Sequence, residues 1–134
     1  MGQGGHVPLQ PLPTPGPVTR LGRLVQPAHV NEHGTLFGGE AMRFMDEAAA
    51  VAAIRYARGS VVTAHVDAVD FREPVPLGAF LEASARVIAV GRASMLVEVM
   101  LEAEDRQTAD RMVTTTGRFV LVAVDADGHP REGR

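Results

Sequence analysis

The chain has 134 residues, a formal net charge of −3 and 46% apolar residues, the balance of a single globular domain. Cysteine and tryptophan are absent, lysine does not occur, and all 13 basic residues are arginines. This composition excludes thiol nucleophiles, disulfides, cysteine-ligated metals, Schiff-base lysines and phosphate-loop lysines. The acidic balance argues against nucleic acid as a partner. Apolar stretches of at most about ten residues argue against a membrane span, and we expect a cytoplasmic protein.

A Pro- and Gly-rich segment opens the chain. Residues 1–17 contain five of the nine prolines, and we expect them to form a flexible arm. The folded domain is therefore predicted over residues 18–134. It begins with a strand predicted at residues 18–26, which a polar loop at residues 27–34 follows.

One long helix is predicted after the polar loop, over residues 39–57. Gly38 and Gly39 open it, and the alanine-rich run from Ala48 to Ala53 strongly favours helix. Gly59 stands where a C-terminal stop is expected.

Only strand patterns follow the helix. Alternation is clearest between residues 79 and 103, where one face of each strand is apolar. Gly91 and Arg92 lie at a hairpin turn between two of the strands. The order of elements predicts an α+β domain, with one helix against a five-stranded antiparallel sheet. The four later strands are predicted at residues 60–71, 79–90, 93–103 and 112–124.

Asp46 lies on a helix face where a solvent-exposed carboxylate is not expected. On a helical wheel it falls in the apolar sector of Met42, Met45 and Ala49. A carboxylate in that position is costly unless it is hydrogen-bonded or paired. Two interpretations stay open, a structural group bonded to a strand and a functional acid.

The glycine pair about two turns before Asp46 offers a complementary group. Gly38 and Gly39 leave backbone N–H groups accessible at a helix N-terminus, where the helix dipole favours negative charge. An N–H donor and a carboxylate together could hold a carbonyl whose oxygen becomes negative. A tight turn would explain the two glycines equally well.

The chain from Asn31 to Glu47 carries a specific motif: Asn, two residues, Gly, three residues, Gly-Gly, and then Met45-Asp46 on the helix. This motif resembles that of the hotdog-fold acyl-CoA thioesterases of the YciA and brain acyl-CoA hydrolase type. The resemblance extends over roughly residues 18–131. Its downstream landmarks are Val62-Thr63-Ala64, Val66-Asp67, Phe71, Pro74, Gly78, Gly91-Arg92-Ala93-Ser94-Met95 and residues 119–125.

The resemblance implies a hotdog fold, in which the five-stranded sheet wraps around the central helix. It further implies a homodimer whose two sheets join edge to edge, assembled to a hexamer as a trimer of dimers. The active site then lies between protomers, with Asn31 of one chain and Asp46 of the other.

The implied reaction is hydrolysis of acyl-CoA to a free acid and CoA, with no metal and no cofactor apart from the CoA of the substrate. Asp46 would act as general base or nucleophile, Asn31 would orient the water or the carbonyl, and the Gly39 N–H would stabilise the oxyanion. Because lysine is absent, arginine must supply positive charge for the CoA phosphates. The candidate substrate and CoA contacts are Gly38, Thr63, Arg72, Gly91, Arg92 and Ser94.

Three other functions stay open from the sequence. A non-catalytic acyl-CoA sensor would keep the CoA contacts and need no Asp46. A hotdog hydratase or dehydratase would use a catalytic histidine, for which His33 is the candidate. An α+β dimer without chemistry is the third. His29 and His33 flank Asn31, but a metal site would need ligands beyond Glu32.

Overall fold

The computed structural model describes residues 9–132. One long helix lies against an antiparallel sheet, and a short 3-10 helix at Pro27–His29 precedes it. No helix in the described range is long and apolar enough to cross a membrane. The elements are β1 (Gln10–Pro11), β2 (Thr19–Leu24), α1 (Gly38–Ala57), β3 (Val61–Phe71), β4 (Phe80–Val90), β5 (Ser94–Glu104) and β6 (Arg111–Ala123).

The sheet is six-stranded rather than five-stranded as predicted. Its order is β1-β4-β5-β6-β3, and β2 also pairs with β4. The extra strand exists because β4 has 11 residues and β2 only six. Gln10 and Pro11 pair with the part of the β4 edge that β2 leaves open. The α+β layout with one helix and five principal strands is confirmed.

Part of the predicted arm lies along this same edge. Residues 1–8 are outside the described range. The N–H groups of Leu12 and Gly16 each donate to a β4 carbonyl, those of Ile88 and Val87, at 2.9 Å. Residues 10–16 are therefore attached to the sheet.

The core forms between α1 and one face of the sheet. Buried and half-buried residues alternate along all of β4, and the predicted apolar face of β5 is buried as well. Most buried residues of α1 are alanines, which let strands approach the helix axis closely. The helix contacts β2 to β6, so the sheet wraps around it.

Ion pairs join three strands at one end of the outer sheet face. Glu82 and Glu102 are directly opposite each other, an arrangement of like charges that is unfavourable by itself. Arg111 binds Glu82 at 2.7 Å, Glu102 at 3.1 Å and Glu104 at 3.0 Å. The hydrogen bonds that Arg111 donates to Glu102 and Glu82 raise its pKa, so this guanidinium stays charged.

Strand β3 forms the far edge of the sheet. Of the described strands it pairs only with β6, and most of its 11 residues are exposed. Val62 and Phe71 are about half exposed, at 49% and 54%. A long exposed edge of this kind is a template for pairing with another strand.

Candidate active site

The carboxylate of Asp46 is held by one hydrogen bond from the sheet. Thr63 Oγ1 donates to Asp46 Oδ1 at 2.6 Å, and Asp46 is half-buried beside the buried residues Met45 and Ala49. Within residues 9–132, Oδ2 has no hydrogen-bond partner. The expected bond to a strand is thus present through a side chain, and one carboxylate oxygen stays available.

A β-bulge in β3 aims Thr63 at the helix. Thr63 lies opposite Leu121, and His65 lies opposite Val120, so Ala64 is an extra residue in the register. Because paired residues share a face, Thr63 points to the side of buried Leu121 and His65 to the outer face. Without the bulge both side chains would lie on the same face.

The loop before the helix is folded around the side chain of Asn31. Asn31 Oδ1 accepts hydrogen bonds from the His33 N–H at 2.9 Å, the Thr35 N–H at 3.1 Å and Thr35 Oγ1 at 3.2 Å. Gly34, at φ 78°, closes the turn by donating to the Asn31 carbonyl at 3.0 Å.

The three donors fix which end of the Asn31 amide is available. Since Oδ1 faces two backbone N–H groups, Nδ2 points away from them. Among the described residues Nδ2 has no partner, and Asn31 is half-buried. Asn31 therefore presents N–H donors and no acceptor to a ligand.

The N-terminus of α1 is uncapped. Its N-cap residue is Phe37, which makes no side-chain cap hydrogen bond, and Gly38 and Gly39 are the first two helical residues. The first intrahelical bond of the described chain runs from the Ala41 N–H to the Phe37 carbonyl at 3.0 Å. The N–H groups of Gly38, Gly39 and Glu40 thus have no helical acceptor.

The glycine at position 39 is better explained by ligand access to the helix N-terminus than by backbone geometry. A Cβ at Gly39 would meet no atom within 4 Å, and its φ is not positive. A Cβ at Gly38 would only touch the Phe71 ring at 3.7 Å. Neither position requires glycine for the fold of the isolated chain. A missing side chain leaves the N–H groups open to a ligand.

One chain does not bring the helix N-terminus and Asp46 to the same carbonyl. Gly39 and Asp46 are on the same helix face, and seven residues at about 1.5 Å per residue separate them by about 10 Å along the axis. The structure joins Asp46 to Thr63, and it places Thr35 and Gly38 around one cavity. Asn31 and Asp46 form no hydrogen bond with each other within the described chain.

The predicted CoA contacts fall in two places. Arg92 is exposed in the β4–β5 turn, where the Gly91 N–H donates to the Ser94 carbonyl at 2.8 Å. Arg72 follows β3, and its Nε binds Asp70 Oδ2 at 3.1 Å. The two arginines therefore do not form one cluster within the described chain.

Sequence reasoning missed a larger group of arginines on the outer sheet face. Arg20, Arg86 and Arg118 line a groove of about 780 Å³ together with Arg72. Arg86, Glu98 and Arg118 stand side by side on β4, β5 and β6. Their outward alternation was visible in the sequence, but their clustering depends on strand register.

The histidines near Asn31 serve the loop. His29 Nδ1 accepts from the Gln26 N–H at 3.1 Å, and exposed His33 lies 3.7 Å from Glu32. Neither belongs to a group of potential metal ligands within residues 9–132. The group that does occur, Asp125, Asp127 and His129, is an exposed turn in which Asp125 Oδ1 accepts the N–H groups of the other two residues.

Fold and site together define a hotdog enzyme of the thioester-hydrolase class. The profile of the thioesterase superfamily matches residues 33–109, and the chain belongs to this family. It is 37% identical over 107 residues to an uncharacterized acyl-CoA thioester hydrolase of Zymomonas mobilis, and the match covers 80% of this chain and 72% of that protein. It is 34% identical over 114 residues to the acyl-CoA thioester hydrolase YciA of Salmonella typhimurium, and this match covers 83% of this chain and 86% of that protein. The family indicated by the sequence motif is confirmed.

Solved structures agree with this assignment. An apo-hexameric acyl-CoA thioesterase superimposes with a TM-score of 0.83 at 39% identity, covering 86% of this chain and 74% of that one. An acyl-CoA hydrolase from Staphylococcus aureus, solved with butyryl-CoA and CoA, has a TM-score of 0.81 at 35% identity, covering 86% and 70%. The predicted hotdog fold is confirmed.

Proposed function

We propose that this protein hydrolyses acyl-CoA thioesters to a carboxylic acid and CoA, with Asp46 as the reacting carboxylate. The observation that carries the proposal is the geometry of Asp46, with Oδ1 fixed by Thr63 at 2.6 Å and Oδ2 open. The reaction needs water and no cofactor. An acyl-CoA substrate also agrees with the expected cytoplasmic location.

Residue spacing in a relative supports the same three side chains. Structures of the Staphylococcus aureus enzyme exist for variants in which one Asn, one Asp or one Thr is replaced by alanine. The three replaced residues are 15 and 17 positions apart. Asn31, Asp46 and Thr63 have the same two spacings.

Two routes are available to the open oxygen of Asp46. As general base, Oδ2 removes a proton from water while the water oxygen attacks the thioester carbon, and CoA leaves as the thiol after taking that proton. As nucleophile, Oδ2 attacks the carbon itself, CoA thiolate leaves, and water then hydrolyses the mixed anhydride. In both routes Oδ1 stays bonded to Thr63, so Oδ2 is the oxygen that reacts.

Charge that develops on the thioester oxygen is met by N–H donors. The uncapped N–H of Gly39 is the proposed oxyanion donor, and the neighbouring glycine at position 38 keeps the approach open. A donor of this kind contributes about 10²–10³ in rate. Asn31 Nδ2 is a donor only, so it can bind the carbonyl oxygen or the water oxygen but cannot accept a proton.

A homodimer completes the proposed site. The separation of about 10 Å along the helix means that Gly39 and Asp46 of one chain cannot act on one carbonyl. The exposed β3 edge carries Thr63 and leads to Phe71. Pairing of two such edges would bring the Asn31 loop of one protomer to Asp46 of the other. Further assembly to a hexamer is proposed from the hexameric relative.

The CoA phosphates are assigned to arginine side chains in the absence of lysine. Arg92 and Ser94, next to the Gly91 turn, are the proposed contacts, with Arg72 as a further one. Arg92 is exposed and forms no ion pair within residues 9–132, so its guanidinium is available for bidentate phosphate binding.

Thiol release from a panel of acyl-CoAs tests the proposal. The protein has no cysteine, so a thiol reagent reports CoA without background. Asp46→Asn should lower kcat by about 10²–10⁴, the contribution of a positioned base, while gel filtration shows an unchanged oligomer. An Asp46→Asn variant that releases thiol at the wild-type rate would show that Asp46 is not the reacting carboxylate.

Asn31→Asp is a matched variant for the loop residue. An aspartate keeps an oxygen for the His33 and Thr35 donors, so the loop should fold, but it has no N–H group to donate. We expect a fall in kcat without loss of the oligomer. Co-refolding equal amounts of Asp46→Asn and Asn31→Asp chains should restore about a quarter of wild-type activity, because half of the dimers are mixed and each holds one intact site. No recovery would place both residues of a site on one chain.

A further inference from the structure

A second cavity lies directly beside the uncapped end of α1. It has a volume of about 310 Å³. The loop before the helix, the first helical turn, the end of β3 and the start of the next segment form its walls. The lining includes Leu36, Gly38, Ala41, Phe71, Val75 and Thr115.

The cavity runs from a charged mouth to an apolar floor. Arg72 and Glu73 are exposed, whereas Ala41, Val75 and Thr115 are only 3%, 4% and 2% exposed. A site that is apolar in depth and polar at its opening suits a ligand with an apolar chain and a polar end.

Backbone hydrogen bonds hold the rim of the cavity in place. The N–H groups of Arg72 and Glu73 donate to the Thr114 carbonyl at 2.8 and 3.2 Å, and the Leu36 N–H donates to the Val75 carbonyl at 2.8 Å. The walls are therefore formed in the isolated chain, and the space between them is not a gap between mobile loops.

Phe71 forms the side wall next to the N-terminus of α1. It is 54% exposed, and it lies opposite buried Thr115 in the register, so its ring is on the helix side of the sheet. The ring touches the position that a Cβ of Gly38 would take, at 3.7 Å. The ring thus lies against the first residue of α1, while the Gly39 side of the helix end stays open.

From this geometry we infer that the cavity binds the acyl chain of the substrate, and that Phe71 limits the length of that chain. The inference rests on the proposed function. A thioester oxygen at the Gly39 N–H would direct its acyl chain past Phe71 toward Ala41. A methylene takes about the volume of a liquid water molecule, about 30 Å³, so the space of about 310 Å³, which is open to solvent on one side, holds at most about ten carbons.

Hydrolysis of saturated acyl-CoAs from two to sixteen carbons tests the inference. In the wild type, each methylene that finds room should raise kcat/KM about fourfold, until the cavity is full at no more than about ten carbons. Ala41→Leu places three more carbons inside and should end this rise about three carbons earlier. Phe71→Ala opens the wall, and the rise should continue to longer chains, with at least a tenfold gain in the hexadecanoyl-to-octanoyl ratio.

Matched controls separate the cavity from general effects. Leu24→Ala removes an equally exposed side chain, 49% exposed, at the opposite edge of the sheet, and Ala50→Leu enlarges α1 away from the cavity. Both should keep the wild-type chain-length profile. Since Phe71 is exposed, Phe71→Ala should fold even where Ala41→Leu does not, and circular dichroism with gel filtration checks this.

The two proposals fail in different ways. An active Phe71→Ala variant with the wild-type profile would overturn the assignment of the cavity and leave the proposed hydrolysis intact. A wild type that releases no thiol from any acyl-CoA would overturn the proposed function and the assignment of the cavity with it.

Discussion

Replacement of Thr63 by valine isolates the contact that orients the proposed reacting carboxylate. Valine has nearly the same shape and favours strands equally, so the bulge and the β3 edge should be kept. What disappears is the hydrogen bond from Oγ1 to Asp46 Oδ1, which measures 2.6 Å. Asp46 then has no partner within the described chain and can turn its oxygens freely.

The size of the effect follows from the type of bond. Hydrogen bonds to charged groups contribute about 1.5–3 kcal/mol. Thr63 is exposed in the isolated chain, so we take the lower end, and 1.5 kcal/mol corresponds to about a tenfold fall in kcat. KM should change little, because the bond positions the carboxylate rather than the CoA moiety.

Thiol-release kinetics on one acyl-CoA measure both constants. Thr63→Ser restores the hydroxyl and should recover most of kcat, which a merely structural role of the threonine would not predict. A Thr63→Val enzyme with kcat within twofold of wild type, in an unchanged oligomer, would refute the positioning role. A rise in KM alone would make Thr63 a substrate contact instead.

Two further predictions concern arginines. Arg92→Gln should raise KM for acyl-CoA about tenfold and leave kcat unchanged, because a charge-assisted phosphate contact is lost. Arg106→Gln is the matched control at another exposed arginine. If Arg86→Gln raises KM instead, the phosphates bind in the outer groove. Gly59→Ala should lower stability by about 1 kcal/mol, read as a lower melting temperature. A Cβ there overlaps the Arg131 guanidinium, which donates to the carbonyl of Ala57, the last residue of α1, and to that of Val124. In an Arg131→Ala background the same substitution should cost much less, and equal losses in both backgrounds would disprove the clash.

Local periodicity was sufficient to place the long elements of this fold. The helix was predicted at residues 39–57 and is found at Gly38–Ala57, because the alanine-rich run strongly favours helix. The left-handed residue that ends the helix is Arg58, at φ 57°, and not the expected Gly59. The faces of β4 and β5 were also predictable, since burial on one side imposes alternation. The two-residue strand β1 was not, because nothing in Gln10 and Pro11 shows that β4 offers them a free edge.

The candidate site divides in the same way. Asp46 and Gly39 could be named from their residue types and positions on the helix, and Asn31 from the resemblance of its motif to that of the thioesterases. The donor-only orientation of Asn31 could not, since it results from the turn that His33 and Thr35 form around Oδ1.

The sequence by itself determined which elements form and which side chains could carry chemistry, because both depend on neighbours along the chain. Only the tertiary structure decided how these side chains meet. One extra residue at Ala64 turns Thr63 toward Asp46 and His65 away from it. Strand register gathers Arg20, Arg86 and Arg118 in one groove and lays Phe71 over Gly38. Because the chain has no lysine, the sequence already implied that arginine must bind any phosphate. The positions of those arginines, however, follow from contacts between residues far apart in the chain.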